Sequence, residues 1–362
     1  MLRRYAAELS CSSGRWPDDA SGPLSGQRSA GSGWPHSPYI LMALSEFDLI
    51  RRYFSDLTPL RDDVALGIGD DCALLDVPEG MELAVSIDTL VAGVHFLADV
   101  EPETLGHKAL AVNLSDLAAM GAEPAWVTLA LALPEVNEVW LEAFSRGFAA
   151  LASRAGVSLV GGDTTRGPLT LTLQVHGFVP RGSALRRDGA QPGDRICVSG
   201  RLGDAALGLR LLQGEANLSE PERSQLIDRL QRPQPRLALG QALRGLASAA
   251  IDISDGLLAD LGHILQASGV GARLQLARLP LSDAVRRTAD WDLPLAGGDD
   301  YELCFTLPPA ELSRLWPLSE QLGLAVSEIG EITAAPGLVC EQADATIWRP
   351  SAKGYDHFAS HE

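Results

Sequence analysis

The sequence predicts a mixed α/β (α+β) protein built from two domains. Its 362 residues exceed the roughly 250–300 residues at which single hydrophobic cores stop growing, so two cores are expected. Short apolar runs typical of strands alternate with helical stretches in both halves of the chain. Between the halves, residues 180–194 contain five Gly or Pro residues and no apolar period, which favours a domain junction there.

Local patterns place helices and strands along the first half. A helix is expected just after Ser45, because Ser45 and Asp48 have the spacing of an N-cap and precede an apolar stripe. Residues 103–120 are rich in helix formers, whereas alternating apolar residues over 169–179 favour a strand. The other predictions are strands near 64–68, 72–76, 83–88, 126–133 and 157–160 and a helix over 137–155.

The second half shows the same alternation. The patterns predict strands near 195–199, 249–253, 301–306 and 326–332, with helices near 203–213, 219–230, 234–247, 257–268 and 309–322. We therefore expect an N-terminal α/β domain over residues 44–182 and a C-terminal α/β domain over residues 183–362.

The N-terminal segment differs from the rest of the chain. From Ser10 to Pro38, 17 of 29 residues are Ser, Gly or Pro, with no periodic apolar pattern. Such a segment buries too little surface to offset the entropy lost on ordering, which predicts a disordered extension over residues 1–43. Met42 is then the expected natural first residue of the protein. A transit peptide remains an alternative, although Glu8 and Asp18 disfavour it.

Composition excludes several classes of protein. The net charge of −18 disfavours binding to nucleic acid or anionic lipid, and no apolar run approaches the ~20 residues of a membrane span. The cysteines include no C-x-x-C pair, which favours a reducing, cytoplasmic setting without a zinc site. Only Lys108 and Lys353 are lysines, and neither lies in a Walker A pattern.

Aspartates recur in apolar or glycine-rich surroundings. Asp88 ends the predicted strand near 83–88, with Ser86 on the same side and Ile87 opposite. Asn113 and Asp116 share one face of an apolar helix. Each group of aspartates also has an explanation without a functional site, such as a turn or a solvated helix edge. The remaining groups follow glycines or strands, at Asp70 and Asp71, Asp163 after Gly161 and Gly162, Asp252 and Asp255, and Asp299 and Asp300.

Together these groups predict metal-dependent phosphate chemistry. Uncompensated buried carboxylates each cost several kcal/mol, whereas Mg²⁺ accepts oxygen ligands and bridges carboxylates to nucleotide phosphates. Neither lysine is expected near the carboxylates. Metal ions should therefore supply most of the neutralising charge, with Arg166, Arg186 and Arg187 available to help. No obvious nucleophilic side chain lies in the predicted site, so catalysis should rest on positioning and charge neutralisation.

Seven segments in order resemble those of the thiamine-monophosphate kinase family: GIGDDCALL, SIDTLVAGVHF, KALAVNLSDLAAMGAEP, GGDTTRGP, DISDGLLADLGHI, GGDDYELCF and KGYDHF. The resemblance implies an aminoimidazole-ribonucleotide-synthetase-like fold, with N-terminal domains pairing into a β-barrel across a homodimer and a C-terminal domain closing over the site. It implies phosphorylation of thiamine monophosphate to thiamine diphosphate, with ATP as co-substrate and several Mg²⁺ ions.

The resemblance also implies roles for individual residues. The implied metal ligands are the Ile87 carbonyl and the side chains of Asp71, Ser86, Asp88, Asp116, Asp163, Asp252 and Asp255. The implied nucleotide contacts are Gly162, Asp163, Arg187 and Ser254. The implied substrate contacts are His95, Asp299 and Tyr355. Without the resemblance, His95 among apolar neighbours is compatible with a core histidine. Family members often carry Glu where Asp299 stands and Trp where Ala352 stands.

Two other functions are compatible with parts of the pattern. A selenophosphate synthetase or a hydrogenase-maturation dehydratase would share the fold, but the first needs a reactive Cys beside a Lys near its N-terminus and the second a C-terminal Cys. This chain has neither feature. A non-catalytic nucleotide or thiamine-phosphate binding protein would need far fewer potential metal ligands.

Overall fold

The computed structural model describes residues 45–349. The predicted extension over residues 1–43 and the predicted substrate contact Tyr355 lie outside these residues, as does Ala352. The described chain forms three β-sheets, of two, four and seven strands. The four-stranded sheet belongs to the N-terminal half and the seven-stranded sheet to the C-terminal half, which confirms a mixed α/β fold with two cores.

The four-stranded sheet has the order β3-β6-β4-β5, with β4 and β5 parallel and the other pairs antiparallel. Helices α2 and α3 cover one face, where Leu110, Leu114, Phe144 and Leu171 are fully buried. The elements are α1 (Glu46–Tyr53), β1 (Val64–Leu66), β2 (Leu74–Leu75), β3 (Met81–Val91), α2 (Pro102–Ala119), β4 (Glu123–Leu133), α3 (Glu138–Ala155), β5 (Ser158–Arg166) and β6 (Thr170–Pro180).

Two local expectations in this half are wrong. Asp88 does not end its strand, because β3 continues to Val91 in antiparallel pairing with β6. The glycine-rich segment after 157–160 is not a turn, because Gly161 to Arg166 continue β5 beside β4. Gly162 has φ +153°, and a Cβ there would lie 1.9 Å from the Leu129 carbonyl oxygen. Only glycine allows this pairing of the two backbones.

The seven-stranded sheet has the order β13-β12-β9-β11-β7-β10-β8. The predicted strand 195–199 and helix 257–268 coincide with β7 and α7. The sequence patterns did not predict β9, β12, β13, α8 and α9, because these elements are too short to give a detectable pattern. The elements are β7 (Arg195–Ser199), α4 (Asp204–Leu212), α5 (Glu222–Gln231), α6 (Leu237–Ala242), β8 (Ala249–Asp252), α7 (Leu257–Ser268), β9 (Gly271–Gln275), α8 (Asp283–Thr288), α9 (Asp292–Ala296), β10 (Leu303–Leu307), α10 (Leu312–Leu322), β11 (Val326–Thr333), β12 (Gly337–Glu341) and β13 (Ile347–Trp348).

Helix α2 joins the two halves. One side packs on the four-stranded sheet and α3, and the other contacts α6 and β8 of the C-terminal half. The approach to α6 is close, since a Cβ on Gly240 would lie 1.9 Å from the Ala118 carbonyl oxygen. The helix is apolar on most of its surface, and 15 of its 18 residues are buried. Its few polar side chains are therefore placed at the boundary between the two cores.

Candidate active site

A cavity of about 1280 Å³ lies between the two halves. Strand β3, helix α2 and the segment 93–97 line it from the N-terminal half. The end of β8, the following loop and the segment 296–301 line it from the C-terminal half. The cavity brings together most of the residues that the sequence singles out, namely Ile87, Asp88, His95, Asp116, Asp252, Ser254, Asp255 and Asp299.

Four carboxylates on different elements form an acidic cluster, which we define as Asp88, Asp116, Asp252 and Asp255. The Ser86 hydroxyl donates a hydrogen bond to Asp116 Oδ2 at 2.5 Å. Asn113 is fully buried, and its Oδ1 accepts the Asp88 backbone N–H at 3.1 Å. The polar face of α2 is thus directed at β3, as the spacing of Asn113 and Asp116 predicts.

The acidic cluster has strongly perturbed ionisation. Burial raises the pKa of Asp88 to about 6, and the charges of Asp116 and Asp255 add to the rise. Burial and the charge of Asp116 raise the pKa of Asp252 to about 7. Burial also raises the pKa of Asp116, against the opposing effects of the Ser86 hydrogen bond and the Arg187 charge. Asp116 therefore repels Asp88 and Asp252, and within residues 45–349 no Lys or Arg forms an ion pair with these three carboxylates.

The loop between β8 and α7 is fixed by Asp260, a residue that the sequence analysis missed. Its Oδ2 accepts the backbone N–H groups of Ser254, Asp255 and Gly256 at 3.0, 3.1 and 3.1 Å. Burial, with the charge of Asp255, raises the pKa of Asp260 to about 7. An Asp four residues after Gly256, in the first turn of a helix, is the signal that could have revealed this role.

The segment 297–301 packs directly on that loop. The Asp299 N–H donates to the Ser254 carbonyl at 2.9 Å, and the Tyr301 N–H donates to the Ile253 carbonyl at 2.8 Å. Asp299 and Tyr301 both adopt left-handed backbone conformations, with φ of 69° and 49°. Such strained non-glycine residues persist where surrounding contacts hold them and are common at functional sites.

Asp300 faces away from its two neighbours in this segment. Its carboxylate is buried and accepts the Gly203 N–H at 2.9 Å, next to the start of α4. Burial raises its pKa well above the usual range. Of the adjacent pair Asp299 and Asp300, only Asp299 lines the cavity, so the two carboxylates have different roles.

The expectation that no lysine lies near the carboxylates is wrong. Lys108 lines the cavity, and its Nζ lies 2.9 Å from Asp299 Oδ1. Of the three arginines predicted to help, two bind other groups. Arg186 forms an exposed ion pair with Asp188, and Arg166 donates to the Pro134 carbonyl.

His95 lies at the cavity wall rather than in a core. Its Nδ1 accepts the Val91 backbone N–H at 3.0 Å, so the neutral ring carries its proton on Nε2. The ring is half-buried and can present that N–H as a donor to an anionic or carbonyl oxygen.

Five predicted ligands lie outside the cavity lining, and one of them is Ser86, whose hydroxyl binds Asp116. Asp71 is exposed in the segment between β1 and β2, and Gly162 and Asp163 lie on β5. Arg187 lies in the segment between β6 and β7, close enough for its charge to lower the pKa of Asp116. Within residues 45–349, no three His, Cys, Asp or Glu side chains converge tightly enough to hold a metal ion by themselves.

The donor chemistry nevertheless fits magnesium. The acidic cluster offers only oxygen ligands, and Mg²⁺ in nucleotide sites is usually held by one or two carboxylates together with substrate phosphates. Burial and neighbouring carboxylates raise the pKa of Asp88 and of Asp252, so a bound cation would stabilise their charged forms. Asp88, Asp116 and Asp252, with the Ile87 carbonyl and Ser86, could hold such ions once phosphate oxygens complete the coordination.

Two family models match the chain in succession. The model described as AIR synthase related protein, N-terminal domain, matches residues 69–179, and the corresponding C-terminal domain model matches residues 191–341. No helix between residues 45 and 349 is long and apolar enough to cross a membrane.

Proteins of known name are similar over most of the chain. Thiamine-monophosphate kinase of Escherichia coli (strain K12) is 53% identical over 324 residues, covering 88% of this chain and 100% of that protein. The crystal structure of thiamine-monophosphate kinase from Stenotrophomonas maltophilia K279a has a TM-score of 0.76 and 51% identity, covering 83% of this chain and 97% of that one. A structure of AaThiL complexed with AMPPCP and TMP has a TM-score of 0.69 and 34% identity, covering 78% and 89% of the two chains.

Proposed function

Because the chain belongs to the thiamine-monophosphate kinase family and so phosphorylates thiamine monophosphate with ATP, we propose that it does this by direct in-line transfer assisted by several Mg²⁺ ions. The product is thiamine diphosphate. The related structure with AMPPCP and TMP supports binding of both substrates in one site.

The observation that carries this proposal is the acidic cluster facing a large cavity. Burial and mutual repulsion raise the pKa of Asp88 to about 6 and that of Asp252 to about 7. Buried carboxylates that repel one another are stabilised by a bound cation. Two phosphorylated substrates also repel each other, and they can be brought together only if cations screen this repulsion. Bound Mg²⁺ would supply that charge and polarise the phosphoryl oxygens.

We assign the metal ligands to both sides of the cavity. Asp88, Asp116, Asp252 and Asp255 contribute carboxylates, Ser86 a hydroxyl and Ile87 its carbonyl. Asp71 and Asp163 belong to the same proposed set, although they lie outside the cavity lining. For the nucleotide, the proposal assigns Gly162, Asp163, Arg187 and Ser254, with Ser254 in the loop that Asp260 fixes.

The chemistry requires no protein nucleophile in this proposal. The phosphate of thiamine monophosphate is an anionic oxygen nucleophile at pH 7 and needs no strong base. The chain's contribution is to align donor and acceptor and to exclude water between its two halves. Cys72 is exposed outside the cavity lining, which is consistent with the absence of a covalent intermediate.

The substrate end of the cavity is assigned to His95, Asp299 and Tyr355. His95 presents its Nε2–H, and the Asp299 carboxylate suits either the thiazolium cation or the aminopyrimidine group. Tyr355, outside the described residues, would place an aromatic ring against a face of the substrate.

We also propose a cytoplasmic homodimer. On β3, the side chains of Leu83, Val85 and Ile87 alternate on the face opposite α2 and are 43, 50 and 58% exposed. A stripe of this kind on a sheet is suited to burial against a second copy of the same sheet. Sedimentation of the purified protein should give twice the chain mass.

A coupled assay for ADP tests the activity directly. The protein with ATP, Mg²⁺ and thiamine monophosphate should release ADP in step with thiamine diphosphate, and much less without the acceptor. Nucleotide and thiamine monophosphate that bind without turnover would support a binding protein instead.

A chiral γ-phosphorothioate of ATP tests the mechanism. One direct transfer inverts the configuration at phosphorus, so the product should be inverted. Retention, or a labelled phosphoenzyme trapped without acceptor, would require a covalent intermediate and contradict direct transfer.

A further inference from the structure

Lys108 is a buried cation whose ion pair crosses the two halves of the molecule. Its side chain is 6% exposed, and its Nζ lies 2.9 Å from Asp299 Oδ1. Lys108 belongs to α2 in the N-terminal half, whereas Asp299 follows α9 in the C-terminal half. A buried ammonium is unfavourable unless a partner compensates it, so the contact constrains both side chains.

Lys108 lies on the same face of α2 as Asp116, two turns closer to the N-terminus of the helix. Lys108, Val112 and Asp116 follow one another at intervals of four residues and all line the cavity, as one helix face should. Eight residues at a rise of ~1.5 Å place Lys108 about 12 Å along the helix axis from Asp116. Lys108 and Asp116 thus enter the cavity wall from two different turns of α2.

Asp299 is held from a second direction. The Tyr301 side chain lies close enough to the Asp299 carboxylate for the charge of Asp299 to add to burial in raising the pKa of Tyr301 well above its usual range. Both residues have left-handed backbone conformations and are tied by their N–H groups to the loop that follows β8. The Asp299 side chain nevertheless remains 30% exposed, so part of the carboxylate is accessible from the cavity.

We propose that Lys108, supported by Tyr301, is a positioning residue that fixes the Asp299 carboxylate so that it accepts a hydrogen bond from the organic part of the acceptor substrate. The proposal rests on the proposed function, in which Asp299 contacts thiamine monophosphate. Because Lys108 already neutralises the carboxylate, Asp299 acts as an oriented acceptor rather than as a bare counter-ion. An amino group of the substrate is the donor that fits such a carboxylate.

Lysine is suited to this role for a physical reason. Its ammonium is compact and donates from one point, whereas the planar guanidinium of arginine prefers to engage both oxygens of a carboxylate. With lysine on Oδ1 alone, the carboxylate keeps lone pairs for a further donor, and its side chain is 30% exposed. Arginine at the same place should occupy the whole carboxylate edge and compete with the substrate.

Steady-state kinetics of Lys108→Met, Asp299→Asn and the double variant test the proposal. For Lys108→Met we expect the KM for thiamine monophosphate to rise tenfold or more, with the KM for ATP changed less than twofold and kcat less than threefold. In the Asp299→Asn background, the same change should alter the KM for thiamine monophosphate less than threefold, since Lys108 acts through Asp299. Lys108→Arg should raise this KM as Lys108→Met does.

A matched control is Arg146→Met, which removes the ion pair of Arg146 with Glu103 on the outer side of α2. It should leave both KM values unchanged. Equal rises in both KM values for Lys108→Met, additive effects in the double variant, or full rescue by Lys108→Arg would each overturn the proposal. If Lys108→Met does not fold, Lys108→Arg and Tyr301→Phe carry the same test. Wild-type protein without thiamine-monophosphate kinase activity would overturn the proposed function itself.

Discussion

Buried carboxylates in this molecule differ in whether basic side chains form ion pairs with them. Glu302, directly before β10, is fully buried and is met by two arginines, Arg229 with its Nη2 at 2.6 Å and Arg236 with its Nε at 2.6 Å. Arg236 also binds Glu302 through its Nη2, and the Ser199 hydroxyl donates a fourth hydrogen bond at 2.6 Å. In the acidic cluster, by contrast, Asp88, Asp116 and Asp252 form no ion pair with any Lys or Arg of residues 45–349.

The difference in surroundings distinguishes a structural carboxylate from carboxylates suited to binding a ligand. The charge of Glu302 is compensated by side chains of α5 and the start of α6, so it ties those helices to the seven-stranded sheet. The acidic cluster faces a cavity, and burial raises the pKa of Asp88, Asp116 and Asp252, none of which forms an ion pair with a Lys or Arg of residues 45–349. A buried carboxylate without a protein cation is therefore the better indicator of a ligand site.

Glu302→Gln should give the largest effect on stability. It would leave Arg229 and Arg236 without their counter-charge in a buried place, at a cost of about 3–5 kcal/mol in the free energy of unfolding. Urea unfolding of the purified variant measures this loss. A free energy of unfolding within 1 kcal/mol of wild type would show that Glu302 does not hold these helices. That result would contradict the structural role by which Glu302 differs from the acidic cluster.

Asp116→Asn should show the opposite pattern. It removes one charge from a group of repelling carboxylates, so the free energy of unfolding should be unchanged or increased. Turnover should fall by roughly 10²-fold or more and require a higher Mg²⁺ concentration, because a ligand charge for the ions is lost. An unfolded variant whose surviving fraction keeps the normal Mg²⁺ dependence would make Asp116 structural.

The smallest effect is expected in the pH dependence of the free energy of unfolding, measured on the metal-free protein. The folded state raises the pKa of Asp252 from 3.8 to about 7, so it binds this proton more tightly than the unfolded state does. The associated stability is present below pH 4 and is lost as the pH rises towards 7. In EDTA, the stability of Asp252→Asn relative to wild type should thus increase between pH 4 and 7, by about 1–3 kcal/mol. A difference independent of pH would contradict the raised pKa.

Local patterns were sufficient to predict much of the fold and of the cavity. The polar stripe of Asn113 and Asp116 on α2 and the Asp252 to Asp255 segment before α7 both line or support the site as expected. Polar residues on an otherwise apolar helix are placed at a boundary between packed regions, which is where the cavity lies. The resemblance added the proposed role of His95, which its apolar neighbours alone did not indicate.

The residues that the sequence did not reveal depend on distant pairing. Glu302 meets arginines more than sixty residues away, and Lys108 meets Asp299 across the two halves. No local period encodes such contacts, because they arise when the two cores pack. The segment after Val160 was misjudged for a related reason, since pairing with β4 determines that Gly161 and Gly162 are extended.

The central claim is that the acidic cluster, and not the compensated Glu302, receives metal ions together with the phosphates. A crystal of the protein with Mn²⁺ in place of Mg²⁺, a non-hydrolysable ATP analogue and thiamine monophosphate tests it through anomalous scattering from manganese. The account predicts peaks in contact with Asp88, Asp116 and Asp252, between the two substrates, and none beside Glu302. Both substrates bound without a manganese peak at these carboxylates would contradict it.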